Sequence, residues 1–169
     1  MKTIIYNDDY LDRDDINKVV GRAKAIIINS KDEILLASTN NNYYLVGGHV
    51  EDNESDEVCL HREILEETGI DLEINDLKPY FVVEYLCKDY PNKGDNTNYV
   101  ANYYVVKCDE TPNLENVKFT ESEKEGNFKL TYFHKDEVMN VLEKSLDVCT
   151  KKNVVRDTID AVSEYLRQN

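Results

Sequence analysis

Residues 55–69, SDEVCLHREILEETG, constrain this chain most, because they read as a helix with aliphatic and acidic sides. At about 100° per residue, Val58, Leu60, Ile64 and Leu65 share a broad side able to pack on a sheet. Asp56, Glu63, Glu66 and Glu67 gather opposite, with Cys59 among them and Arg62 at the border. Ser55 is placed to cap the N-terminus, Asp56 and Glu57 suit the dipole of the first turn, and Gly69 is placed to end the helix. Glu63, Glu66 and Glu67 crowd about one turn, where like charges repel. A divalent cation would offset that repulsion. Hard cations take oxygen ligands and are typically held through carboxylates together with substrate phosphates. The stretch therefore points to phosphate chemistry, although each acid taken alone is also an ordinary solvated helix residue.

Around this helix the pattern alternates between strands and helices. Residues 3–6 form a short apolar run suited to an edge strand, within a polar lead-in over 1–20. Residues 23–28 and 34–37 are apolar runs joined by a polar turn, as in a hairpin. Residues 43–46 predict a third strand, ending at Gly47 and Gly48, a pair that allows a turn or a close approach of backbone to ligand. Residues 80–86, 99–106 and 128–133 predict further strands, with polar loops over 88–98 and 111–127. Residues 136–144 and 153–167 predict helices; the second carries Val154, Val155, Ile159, Val162 and Leu166 at helical spacing. The expectation is a single domain over 1–169 of mixed, layered α/β class.

Composition narrows the function. The chain has 34 acidic against 20 basic residues, a formal charge of −14, which argues against a stable nucleic-acid partner because phosphate binding needs Lys and Arg. An anionic small substrate is not excluded, because a bound metal inverts the local field. Cys59, Cys87, Cys108 and Cys149 lie far apart with no CxxC pair, so neither a zinc site nor a redox motif is indicated. Reduced thiols, an N-terminus without a long apolar run and the absence of any membrane-length apolar stretch set the expectation of a cytoplasmic protein away from membranes.

Residues 48–70, GHVEDNESDEVCLHREILEETGI, resemble the signature of the Nudix hydrolases. The matching positions are Gly48, Glu54, Arg62, Glu63, Ile64, Glu66, Glu67, Gly69 and Ile70, and every fixed position is present. With its flanking elements the resemblance extends roughly over residues 22–145. It implies an α/β/α sandwich with a mixed sheet, and a hydrolase that cleaves a nucleoside diphosphate from a linked group with Mg2+ or Mn2+. By resemblance, Glu63, Glu66 and Glu67 are metal ligands, with the Gly47 carbonyl as a further one, and Glu54 and Arg62 orient the cluster. The general base is Glu63 first. Glu121, Glu123 and Glu125 are loop alternatives, of which Glu123 and Glu125 are favoured. Many relatives are dimers, so the resemblance leaves a homodimer open.

The expected function is a metal-dependent pyrophosphohydrolase acting on a nucleoside diphosphate derivative or a nucleoside triphosphate by water attack on phosphorus. The alternatives are a nucleotide-sensing module of the same fold that does not cleave, and an acidic calcium-binding or interaction domain. His49, His61 and His134 cluster with nothing and are not expected to be ligands or bases. Tyr43, Tyr44, Tyr85, Tyr99, Tyr103 and Tyr104 read as packing residues, one of which could stack on a base. Family subgroups carry marker residues after the signature. Pro79 comes too early for one of these, and Tyr85 and Tyr90 only straddle the window for another, so the substrate stays open.

Overall fold

The longest β-branched stretch of the sequence becomes the spine of the sheet. In the computed structural model, which describes residues 1–117 and 127–169, the strands are β1 (Lys2–Tyr6), β2 (Lys18–Ile28), β3 (Glu33–Thr39), β4 (Asn42–Tyr44), β5 (Val46–His49), β6 (Phe81–Cys87), β7 (Thr97–Lys107) and β8 (Lys129–His134). The helices are α1 (Asp56–Thr68), α2 (Lys135–Leu146) and α3 (Lys152–Gln168). Short 3-10 turns lie at Arg13–Asp15 and Leu114–Asn116. Among the described residues no helix is long and apolar enough to cross a membrane.

The sheet is mixed. β1 runs parallel to β6, β6 antiparallel to β7, and β7 parallel to β2 along the whole of β2, from Lys18 beside Thr97 to Ile28 beside Lys107. On its other edge β2 splits its partners. Arg22–Ala25 pair with β5, and Ile28 alone pairs with β3. β3 then carries β4 on one edge and β8 on the other, since Ala37 and Ser38 pair with both. The residues read as a lead-in thus supply β1 and the start of β2.

Side-chain alternation along β2 builds two cores. Ile26 and Ile28 face α2 and α3, joining Phe81, Tyr103, Leu142 and Val162. Ala23, Ala25 and Ile27 face α1, joining Leu60, Ile64 and Tyr104. The result is the expected α/β/α sandwich. Leu60 is fully buried; Leu60→Ala is expected to destabilise the protein by about 2–5 kcal/mol through transfer and cavity costs, read by denaturant unfolding.

Two local expectations are corrected. The strand predicted over 43–46 breaks at Leu45, and Gly47 and Gly48 are not a turn but part of β5, opposite Lys24 and Ala23. The turn that the sequence predicts at Asn40, Asn41 and Asn42 is present, with Asn40 and Asn41 both at positive φ. The second correction is the rotation of α1. Its buried residues are Cys59, Leu60, Ile64 and Thr68, whereas Val58 is 56% exposed. Cys59 fits against β5, its thiol donating to the His49 carbonyl at 3.3 Å. Asp56 accepts hydrogen bonds from the Asn102 amide and the Tyr104 hydroxyl on β7, fixing the other side of the first turn. Both anchors come from tertiary contacts that helical periodicity does not contain.

Candidate active site

The acidic side of α1 meets the sheet at β5, and two glycines make that meeting close. α1 begins at Ser55, whose hydroxyl accepts from Val58 N at 3.3 Å, and ends at Gly69 in the left-handed region with φ of 71°. Both ends are as the sequence predicts. At Gly48 a Cβ would lie 2.1 Å from Glu63 Oε1, so the missing side chain is what lets the carboxylate lie against the strand. At Gly47, φ is 132°, and a Cβ would lie 2.2 Å from the Ala23 carbonyl oxygen. The Gly47 N–H donates to Glu67 Oε2 at 3.2 Å. Glu63 and Glu67 are thus tied to adjacent residues of one strand.

Arg62 organises the rest. Its Nε and Nη2 donate to the two oxygens of Glu54 at 2.9 Å each, and Nη1 donates to Glu63 Oε1 at 2.6 Å. Nη2 also donates to the His49 carbonyl at 3.0 Å, and Nη1 stands 3.7 Å from Glu66 Oε2. The fork-to-carboxylate pairing with Glu54 fixes both distance and plane. Glu54 in turn accepts from the Glu51 N–H at 2.9 Å, closing the loop that precedes α1.

These contacts set the proton affinities. The hydrogen bonds from Arg62 hold the Glu54 carboxyl down at about 2. Glu63 moves the other way. Burial raises its proton affinity, against the opposing hydrogen bond and charge of Arg62. Burial also pushes the Cys59 thiol up to about 12, with Glu54 and Glu63 adding to the effect, so it is a packing residue and no nucleophile.

Glu54 gives a pH prediction. Its folded value lies below the ordinary 4.5, so its ionised form stabilises the fold fully above about 4.5, and that contribution is lost as pH falls towards about 2. Glu54→Gln is therefore expected to be less stable than the parent at neutral pH, with the difference closing across that window in denaturant unfolding. A difference that stays constant from pH 5 to pH 2 would contradict this account.

The donor set can be tested against a divalent cation. Glu63, Glu66 and Glu67 offer only oxygen, as hard cations prefer, and the space over Gly48 is shaped for a carboxylate. Among the described residues, however, no group of three His, Cys, Asp or Glu side chains is drawn together as a ready metal cage. The physical reason is visible in the contacts: Glu63 and Glu66 lean on the Arg62 guanidinium, and Glu67 on the Gly47 amide. The ligand chemistry fits a cation, and closing round one requires the carboxylates to turn from these partners. Glu121, Glu123 and Glu125 lie outside the described residues.

The sequence reading missed what lies on the opposite side of β5. Lys24 and Arg22 project from β2 towards α3. Lys24 is only 5% exposed, yet sits at a cleft of about 260 Å3 that Gly47, Tyr44 and Lys151 also line. Arg22 joins this cleft to a second one of about 440 Å3, lined by Tyr85, Tyr99 and Asp157. The Arg22 guanidinium lies over the Tyr99 ring at 5.6 Å and contacts His49 Nε2 at 3.3 Å. Burial, with Arg22 and Lys24 beside it, lowers the His49 pKa and favours a neutral ring. The available sequence signal was two cations alternating with buried alanines on one strand, in a chain short of cations. A further cleft, of about 820 Å3, lies at the far end of β2 around Ile28, Lys107 and Lys135, and contains none of these residues.

The NUDIX domain family model matches residues 20–151. Among solved structures, a NUDIX hydrolase from Nitrosomonas europaea superposes with a TM-score of 0.60 at 18% identity, covering 89% of this chain and 90% of that one. A MutT protein from Methanosarcina mazei Go1 superposes with a TM-score of 0.55 at 21% identity, covering 89% and 96%. No curated protein matches. At these identities the structural likeness speaks to the fold, which is the same sandwich.

Proposed function

Because this chain belongs to the NUDIX family and is a hydrolase of phosphoanhydride bonds, we propose that it is a divalent-metal-dependent enzyme cleaving a nucleoside diphosphate linked to another group, or a nucleoside triphosphate. The observation that carries this reading is the edge of β5. There Glu63 lies against Gly48 and Glu67 accepts from Gly47, beside a cleft lined by Lys24 and Arg22. Carboxylates suited to a cation thus adjoin side chains suited to phosphates.

Glu63, Glu66 and Glu67 would hold Mg2+ or Mn2+, with the Gly47 carbonyl as a further ligand. When bound, the ion neutralises phosphate charge and lowers the pKa of water. The chain's own residues do the rest. Lys24 and Arg22 attract the anionic substrate into the cleft and fix its phosphates. Arg62, held on Glu54, fixes the loop before α1 and stands beside Glu63 and Glu66. Glu63 takes the proton of the attacking water. The leaving phosphate departs in line, and the proton passes from Glu63 to solvent. The four unpaired cysteines support a reducing, cytoplasmic setting.

The reading is tested with Glu67→Gln. Isosteric loss of the charge is expected to abolish metal-dependent turnover by at least ~100-fold while circular dichroism and the melting curve stay near those of the parent. Unchanged turnover would remove Glu67 from the site. Nucleotide binding without turnover in the parent protein would favour the sensing module instead.

A further inference from the structure

Helix α3 begins without a cap of its own. Its N-cap residue is Lys151, whose side chain makes no capping hydrogen bond, since lysine has no acceptor to offer there. What holds this end is Asn42 of β4, a side chain only 4% exposed. Its Oδ1 accepts from Thr150 N at 2.9 Å and from Lys151 N at 2.7 Å. Its Nδ2 donates to the Thr39 carbonyl at 2.8 Å, the Asn40 carbonyl at 3.2 Å and Thr150 Oγ1 at 3.0 Å. Both ends of one buried amide are thus spent on locking the β3–β4 turn to the residues that start α3. The lock borders the 260 Å3 cleft, which Asn42, Thr150 and Lys151 line together with Lys24 and Arg22.

The lining of that cleft is one-sided in charge. Arg22, Lys24 and Lys151 line it and no Asp or Glu does, in a chain with 34 acidic residues against 20 basic. Among the described residues none of the three cations makes an ion pair. Burial raises the proton affinity of Asp157 and the charges of Lys24 and Arg22 oppose it, but that carboxylate lines the neighbouring cleft and pairs with neither. Lys24 is 5% exposed, and an ammonium this deep is costly without an anion. The Tyr44 ring, 5.9 Å away, offsets only part of that cost. The first turn of α3 reaches the cleft at Val154 and brings the positive end of the helix dipole. We propose that Lys151 is a further phosphate-contacting residue of the active site and that Asn42 is the positioning residue that sets it there. The proposal rests on the hydrolase reading for the identity of the anion, the phosphate end of the substrate. Lys151 itself is exposed and carries its charge on a flexible stem. Only the hold of Asn42 on its backbone keeps that charge beside Lys24 and Arg22.

Titration of inorganic tripolyphosphate into the full-length, metal-free protein tests this without requiring turnover. Lys151→Gln is expected to bind it about tenfold more weakly than the parent, the worth of one hydrogen bond to a charged group. Asn42→Ala is expected to lose as much, and to add nothing further in the Lys151→Gln background. That non-additivity separates positioning from stability, because a merely structural Asn42 would lower the melting temperature and leave the affinity alone. On a nucleotide that the protein hydrolyses, Lys151→Gln should raise KM about tenfold with kcat within threefold of the parent, as loss of uniform binding does. No binding of tripolyphosphate by the folded parent, or an affinity within twofold of the parent in Lys151→Gln, would overturn the proposal. So would additive losses from the two substitutions, or a KM that stays put while tripolyphosphate binding falls, which marks an anion site apart from the substrate. Should Asn42→Ala not fold, Asn42→Ser is measured in its place under the same expectations. Tripolyphosphate binding that depends on Lys151 in a protein without turnover sinks the hydrolase reading alone, whereas turnover indifferent to Lys151 sinks this proposal alone.

Discussion

Replacing Glu63 by glutamine lowers kcat by about 10^2–10^4-fold, the range associated with losing a general base, in a protein that remains folded. Glu63 is the carboxylate that Arg62 grips at 2.6 Å, and it is also the one that lies against Gly48. Glutamine keeps the shape and can still accept from Arg62 through its carbonyl oxygen. It loses the negative charge for a cation and the basic site for water's proton. Arg62 keeps its bidentate hold on Glu54, so the loop before α1 has no reason to open. Steady-state kinetics beside a thermal melt separates the two effects. A kcat within threefold of the parent would show that the proton goes elsewhere, with an acid from 121–125 the next candidate.

The adjacent glycines should fail in different ways when each is changed to alanine. At Gly47 the new Cβ would meet the Ala23 carbonyl oxygen at 2.2 Å and Lys24 Cα at 2.8 Å, both backbone atoms of β2. β2 is held along its length by β7 and cannot yield. The φ of 132° adds strain that an L side chain resists. Gly47→Ala is therefore expected to lose about 3 kcal/mol of stability or more. At Gly48 the nearest atoms are Glu63 Oε1 at 2.1 Å and Cδ at 2.4 Å, the far end of a flexible side chain. The carboxylate can swing away at little cost to folding, but its position is lost. Gly48→Ala should therefore melt close to the parent and lose about 100-fold in turnover, as expected of a misplacement near 1 Å. Paired melting and kinetic measurements check both. Equal stability losses at the two positions would contradict the distinction between backbone and side-chain clashes.

The sequence was most legible where function and folding depend on neighbours along the chain. The Ser55 cap, the Gly69 stop and the acidic side of α1 are all local, and the spacing of Glu54, Arg62 and Glu63 is short enough for a motif to carry. Periodicity also gave most of the strands and the three helices, and so a mixed, layered α/β domain; the sandwich itself followed from the family resemblance. Periodicity failed where a distant partner decides. Cys59, not Val58, is buried because β5 accepts its thiol on one side and β7 holds Asp56 on the other. The break at Leu45 arises because β3 and β2 diverge and each claims part of the following chain. Arg22 and Asp157 share a cleft only through the packing of β2, β7 and α3. On its own, Asp157 reads as one more solvated acid on a helix, although it falls three residues after Val154 and so shares its side.

The most direct measurement is hydrolysis by the purified protein across a panel of nucleoside triphosphates, ADP-ribose, nucleotide sugars and dinucleoside polyphosphates, with Mg2+ or Mn2+ and then with a chelator. Turnover of one substrate class that disappears with the chelator, returns on adding metal and is absent in Glu67→Gln is the predicted result. Turnover indifferent to the chelator, or no turnover by folded protein shown to bind the metal, would contradict the carboxylate edge of β5 as a metal-dependent hydrolytic site.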